Sequence, residues 1–231
     1  MVEIVETYEE LQGYDKVATL DLGGTLVVEE ENIPTHARIN MAFGLSEEDE
    51  RELYDEFVDE KGDLTDHLDH ARAQTRALRG RPQANIENYA EVVQDIIDDR
   101  ELISGVQGNG ARNFVDKLEN NGYHTMIVSS APLAVTRPFA DQLDVDFLYD
   151  WKDFVFTDDG YFDRVKVNKE AREGKHQVVE GLQEQGADVA HFGNGDNDKS
   201  AVSKANAGKR QWWAANPDIA FEYAFQEARK L

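Results

Sequence analysis

The chain has no cysteine, only five prolines, and only 24 basic residues against 47 acidic ones. Without cysteine there are no disulfides and no thiolate metal sites, and the redox state of the compartment leaves no trace. The shortage of basic side chains gives a formal net charge of −23, far outside the magnitude of about 2 to 8 that suits a small soluble domain. Such a surface repels DNA, RNA and anionic membranes, so neither nucleic acid nor a membrane is expected as a partner. No stretch approaches the ~18 apolar residues of a spanning helix, and the segment from Met1 to Glu10 lacks the basic and apolar blocks of a signal peptide. A cytoplasmic protein is expected. The acids are spread along helix faces, as in Glu47 to Glu60 and Asp95 to Glu101, rather than gathered in a tail. That pattern fits adaptation to a high-salt cytoplasm, where the Debye length falls to ~3 Å at 1 M; an unusually acidic mesophilic protein is the alternative.

What remains is ample for a core. With 231 residues and 40% hydrophobic content, the chain suits one α/β domain with an insertion, or two small domains. Val17-Ala18-Thr19-Leu20 reads as the first strand, running to Leu22. About eighty residues without a strand pattern follow. Helical periodicity recurs there over Thr35 to Phe43, Glu47 to Glu60, Leu64 to Leu78 and Ile86 to Asp99, with breaks at Gly44 and at Gly80-Arg81-Pro82. Ser46 with Asp49 three residues on marks one helix start. From Gly108 the rhythm alternates between helix and strand: Ala111 to Asn120, Tyr123 to Ser129, Leu133 to Leu143, Phe147 to Tyr149, Lys175 to Gln185, Val189 to Phe192, Ser200 to Ala205, Gln211 to Ala215, then a terminal helix. This alternation predicts a parallel sheet with crossover helices. A hairpin spanning Phe154 to Asp163 and turning at Asp159-Gly160 interrupts it.

Chemistry concentrates in four places. Asp21-Leu22-Gly23-Gly24-Thr25-Leu26 ends the first strand with a carboxylate on a glycine-rich turn, where backbone N–H groups can approach a phosphate. Ile127-Val128-Ser129-Ser130 ends the next strand, Lys175 opens a helix, and Phe192-Gly193-Asn194-Gly195-Asp196-Asn197-Asp198 follows the strand after that. In an open parallel sheet the reactive crevice lies at the carboxyl ends of the strands, which is where Asp21, Ser129 and Asn194 fall. Taken singly, Asp21 reads equally as a turn residue, Ser129 as a helix cap before Pro132, Lys175 as a solvated charge, and Asn194 to Asp198 as a glycine loop. Their order and their elements join them.

Together these segments resemble the four motifs of the haloacid dehalogenase (HAD) superfamily, and most closely its phosphoserine phosphatase-like subgroup, over about Val17 to Pro217. The resemblance implies an α/β fold: a Rossmann-like core with a parallel sheet, residues 1–28 and 104–231, and a helical cap inserted after the first strand, residues 29–103. It also implies a phosphomonoesterase acting on a small phosphorylated metabolite through an aspartyl phosphate. In that reading Asp21 is the nucleophile, Thr25 and Ser129 bond the phosphoryl oxygens, and Lys175 neutralises charge. Gly24, Ser130, Glu30 (nine residues after the nucleophile) and Arg72 contact the substrate. Mg²⁺ is held by Asp21, Gly23, Asn194 and Asp198.

Two positions depart from the family pattern. The first motif is ordinarily Asp-x-Asp-x-Thr, and its second Asp, the acid/base, is Gly23 here; such a group contributes about 10² to 10⁴-fold. Asn194 replaces a metal-binding Asp, with Asp196 an extra acid nearby. Weak turnover is one consequence. A phosphate-binding or regulatory protein without hydrolysis is the alternative, and a dehalogenase or phosphonate hydrolase is disfavoured because Tyr or Ala is absent at position 23. His67 and His70, three apart on a helix, lack the third ligand that a zinc site needs. Trp212-Trp213 is expected to pack on the last strand.

Overall fold

A computed structural model of the chain describes residues 1–29, 33–58, 66–103, 110–193, 196–205 and 212–213. Six strands form one sheet in the order β1 (Glu3–Val5), β6 (Phe147–Tyr149), β5 (His124–Ile127), β2 (Lys16–Leu20), β9 (Asp188–Gly193) and β10 (Trp212–Trp213). Every neighbouring pair is parallel. Two antiparallel pairs stand apart from it: β3 (Val27–Glu29) with β4 (Arg100–Leu102), and the hairpin β7 (Lys152–Phe156) with β8 (Phe162–Val167). The hairpin turns where the sequence predicts, with Gly160 at φ 80°.

Helices α1 (Thr35–Ala42), α2 (Glu47–Asp55), α3 (His67–Leu78) and α4 (Ile86–Asp98) all lie between β3 and β4. The Ser46 hydroxyl accepts the Asp49 N–H at 3.1 Å, giving α2 the expected start. The later helices are α5 (Ala111–Asn120), α6 (Leu133–Leu143), α7 (Lys175–Glu184) and α8 (Asp196–Lys204). The sheet separates two apolar layers. Ala18 and Leu20 of β2, with Ala190 and Phe192 of β9, pack against Phe114 and Leu118 of α5 and Phe139 of α6. Val17 and Val189 belong to the other layer, with Val178 and Leu182 of α7 and Ala201 of α8. Burying each large side chain stabilises the fold by roughly 1.5–3 kcal/mol.

Four elements differ from the sequence reading. Strands β3 and β4 occupy the stretch read as strand-free; each has three residues and finds its partner some seventy positions away, so no local alternation announces it. Strand β1 is equally short, and it pairs at the sheet edge with β6. Helix α8 begins at Asp196 rather than Ser200. Asp and Asn favour turns, but they also favour the first turn of a helix, where free N–H groups need acceptors.

Candidate active site

Strand alternation puts the polar groups on one face. On β2, Ala18 and Leu20 point to the layer under α5 and α6, so Thr19 and then Asp21 fall on the side of α7 and α8. Register pairs Thr19 with His191 across β2 and β9, and Gly193 follows on the same face. Asp21 continues the line of β2: its N–H donates to the Phe192 carbonyl at 2.9 Å. The chain then turns sharply, with the Leu22 carbonyl accepting from Leu26 N–H at 2.8 Å and Gly24 at φ 68°. The left-handed backbone belongs to Gly24, not to Gly23.

A continuous buried line of polar contacts results. The Thr19 hydroxyl meets His191 Nδ1 at 2.8 Å, and His191 Nε2 lies 3.0 Å from Asp198 Oδ1. Lys175 Nζ donates to Asp198 Oδ1 and to Asp21 Oδ1, each at 2.5 Å. The Thr25 hydroxyl donates to Asp21 Oδ2 at 3.0 Å. Lys175 reaches this point from the first residue of α7, which Gly174 (φ 127°) turns into place. Asp198 fits only because position 193 lacks a side chain: a Cβ on Gly193 would lie 2.1 Å from Asp198 Cγ.

The electrostatics follow from burial and from two carboxylates sharing one ammonium. Burial pushes the Asp21 carboxyl up to about 6, against the pull of Lys175. Burial also acts to raise Asp198, but Lys175 and His191 outweigh it and hold Asp198 below the usual carboxylate range. Lys175 loses hydration, yet Asp198 and Asp21 keep its pKa above the ordinary value. Burial lowers that of His191. The site therefore holds a cation fixed between two carboxylates, with the second oxygen of Asp21 oriented by Thr25.

Of the residues the sequence singles out, Asp21, Thr25, Lys175 and Asp198 come together directly. Ser129 and Ser130 lie past the end of β5, the strand beside β2, and the Ser129 hydroxyl accepts the Ala131 N–H at 3.2 Å. Gly23 and Gly24 form the turn after Asp21. Arg72 is not gathered in: its side chain is 59% exposed and donates to Asp69 at 2.7 Å. The buried face of α3 is taken instead by His67, His70, Ala71 and Gln74. Glu30 and Asn194, and the side chain of Asp196, lie outside the described residues, as do the side chains of Trp212 and Trp213. Among the described residues no three His, Cys, Asp or Glu side chains gather where they could hold a metal ion.

Sequence reasoning missed His191. Its signal is the alternation on β9, which sets a histidine at 0% exposure between Val189 and Gly193 on the face that Asp21 uses.

A strand-end aspartate, a helix-start lysine and a second aspartate after the next strand define a hydrolase core of one kind. The haloacid dehalogenase-like hydrolase family model matches residues 16–223, and the chain belongs to that family. Its fold is shared with solved phosphoserine phosphatases. One, a phospho-aspartyl intermediate analogue, is 22% identical with a TM-score of 0.60 over 91% of each chain. The phosphoserine phosphatase from T. onnurineus is 16% identical, with a TM-score of 0.62 over 93% of this chain and 96% of that one. A cytosolic 5'-nucleotidase IIIB bound to cytidine is 10% identical, with a TM-score of 0.51 over 96% of this chain and 89% of that one. No curated protein matches the chain. Among the described residues no helix is long and apolar enough to cross a membrane.

Proposed function

We propose that the protein is a phosphomonoesterase for a small phosphorylated metabolite of the phosphoserine type. The observation that carries this is Lys175 Nζ held 2.5 Å from both Asp21 and Asp198 at the carboxyl edge of the sheet. An oxygen of Asp21 attacks phosphorus, the ester P–O bond breaks, and an aspartyl phosphate forms; water then cleaves that acyl phosphate and returns the carboxylate. Lys175 offsets the charge that builds on the phosphoryl oxygens, and Thr25 and Ser129 supply hydroxyl donors. The leaving oxygen takes its proton from water, because Gly23 offers no acid. His191 positions Asp198 and, through it, Lys175.

The hard oxygen donors of Asp21 and Asp198 fit Mg²⁺, and those two with the Gly23 carbonyl and Asn194 would hold it. Such an ion would supply positive charge against the transferring group. Residues 29–103 serve as the cap over a core of 1–28 and 104–231. The setting is a cytoplasm of high ionic strength, where the −23 charge is screened. A melting temperature that rises steeply up to about 1 M KCl is the expected sign of it, and a flat profile removes that reading.

The test is labelling with acetyl phosphate and Mg²⁺ in molar KCl. An acid-stable, hydroxylamine-sensitive adduct on Asp21 is expected, and it disappears in Asp21→Asn. Label on a serine overturns the proposal. The hydrogen-only side chain at Gly23 favours a second reading, a phosphate-binding protein that forms the adduct without release. Phosphoserine incubation separates the two, since only the enzyme liberates inorganic phosphate faster than buffer.

A further inference from the structure

The short passage before Lys175 joins two anchored pieces of chain. On one side the 3₁₀ turn Lys169–Ala171 is tied to the core: Asn168 Nδ2 donates to the Glu6 and Asp150 carbonyls at 2.7 and 3.1 Å, and Ala171 is fully buried. On the other, α7 packs Val178, Val179 and Leu182 into the apolar layer beneath it. Between them Gly174, at φ 127°, sets the angle at which the chain enters α7, and its N–H donates to the Ala171 carbonyl at 3.2 Å. A lysine on the first residue of a helix swings when that entry angle changes. Contacts on the passage therefore bear on where its ammonium lies.

Arg172 carries such contacts, and its partners are at the start of α3. Its Nε, at 2.7 Å, and its Nη2 both donate to Asp66 Oδ2. The other oxygen, Asp66 Oδ1, caps α3 by accepting the Leu68 and Asp69 N–H groups at 3.0 Å each. The main chain adds a third bond, from His67 N–H to the Arg172 carbonyl at 2.9 Å. His67 is itself lodged against Trp151, with ring centroids 4.9 Å apart. Burial first, then Lys152 and Lys175, keep His67 uncharged, so α3 starts close to Lys175 without setting a second cation beside it. An isolated surface ion pair is worth little, and the Arg172 side chain is 44% exposed. This pair differs because Asp66 is held by two backbone donors and a main-chain bond runs beside it. We propose that Arg172 is a positioning residue for Lys175: clasped by Asp66 and His67, it fixes the entry into α7 and keeps the Lys175 ammonium between Asp21 and Asp198. Its effect on rate rests on the role proposed for Lys175 in phosphoryl transfer; its effect on where Lys175 lies does not.

The test reads the Lys175 ammonium by NMR in the full chain, with lysine side-chain nitrogens isotopically labelled and the signal assigned by its loss in Lys175→Met. Exchange of its protons with water should be slow in the parent, because the group is buried and bonded to two carboxylates. Roughly tenfold faster exchange is expected in Arg172→Met. Asp66→Asn keeps the helix cap, since Asn caps as well as Asp, but sets an amide against Arg172 and should fall between the two. Arg79→Met cuts a comparable exposed pair with Asp163 at the other end of α3 and should exchange like the parent. Parent-like exchange in Arg172→Met overturns the proposal, and so does equal acceleration in Arg79→Met, which would mark general loosening. Should Arg172→Met fail to fold, Asp66→Asn against Arg79→Met decides. A misplacement of about 1 Å costs on the order of 10²-fold, so Asp21 adduct formation should slow in the same order of variants. Faster ammonium exchange with an unchanged adduct rate would support the positioning and remove Lys175 from phosphoryl transfer.

Discussion

Among the described residues two lysines are buried, and their surroundings push them in opposite directions. Lys175, 1% exposed, sits between two carboxylates at 2.5 Å and is held more basic than a free lysine. Lys152, 6% exposed, donates to the neutral amide of Gln74 at 2.9 Å, and burial lowers its pKa to about 8 with only the more distant Glu50 opposing. The line from Thr19 to Thr25 leaves no buried side-chain polar atom without a partner. Around Lys152, by contrast, Asn40 Oδ1, Glu50 Oε1, His70 Nε2 and Gln74 Nε2 have none. A fully satisfied buried network fixes one geometry, as the proposed phosphoryl transfer needs; a partly satisfied one carries the desolvation cost of its unpaired groups.

Acid should separate the two regions most. Burial and Lys152 push His36 and His67 down to about 3 and His70 down to about 2. Their folded values lie below the unfolded value near 6.5, so the unfolded state binds more protons and stability falls as pH drops below about 6.5. Asp21 works the other way: its folded value of about 6 lies above the unfolded one, so protonating it favours the folded state between about pH 6 and 4. Three histidines outweigh one carboxyl, and a loss on the order of 4 kcal/mol by pH 5 is expected. Urea titrations at pH 7, 6 and 5 measure it, and His70→Leu should flatten the slope by nearly half. A pH-independent midpoint would mean that the histidines stay charged in the folded chain.

The next effect comes from removing the satisfied lysine. Lys175→Met leaves Asp21 and Asp198 facing each other without a counter-charge, which should cost about 3–5 kcal/mol at pH 7. The Asp21 adduct should be lost as well. Because protonating one carboxyl relieves the repulsion, the destabilisation should shrink on moving to pH 5. A deficit that persists there would place its origin in packing rather than charge.

How much of this was legible depends on distance along the chain. The Asp21 turn, Lys175 at a helix start and the alternation from Gly108 carry local patterns, and the sheet follows from them. The β3 to β4 pairing does not, because Val27 and Leu102 meet across the whole helical insert. His191 was hidden for a related reason: a strand histidine acquires meaning only when Thr19 on another strand and Asp198 on a helix close around it. Arg72 was picked out by spacing, but one position on a helix decides whether a side chain is buried, and Ala71 took the inner place. The cavity of about 690 Å³ lined by His36, Met41 and Tyr54 had no sequence signal, since helical periodicity shows which residues turn inward and not how completely they fill the space.

Gly193→Ala tests the packing of the satisfied line at a smaller scale. The added Cβ would come 2.1 Å from Asp198 Cγ, so Asp198 must move away from Lys175 or β9 must shift. Overpacking of this kind costs about 1–3 kcal/mol, and the measurable consequence is a slower rate of Asp21 adduct formation. Thr19→Val, which removes a hydroxyl from the far end of the line without adding bulk near Asp198, should leave that rate closer to the parent. Equal rates in Gly193→Ala and the parent would mean that the Asp198 position is not held by this contact.

The smallest effect should come from removing the other lysine together with the carboxylate it faces. Lys152→Met alone leaves Glu50 buried with no nearby cation, and a loss of about 3 kcal/mol is expected, as for other broken buried pairs. Lys152→Met combined with Glu50→Gln removes both charges together. Each is already disfavoured by burial, which lowers Lys152 and raises Glu50, and neither is bonded directly to the other. Replacing such a pair with neutral groups of similar size is often neutral or stabilising, so the double variant should lie within about 1 kcal/mol of the parent in urea unfolding at pH 7. The coupling energy from the four-variant cycle is therefore nearly as large as the single loss. If the double variant instead loses as much as the sum of its parts, the two groups act independently. The contrast between the two buried lysines would then reflect packing around them rather than the charge each one faces.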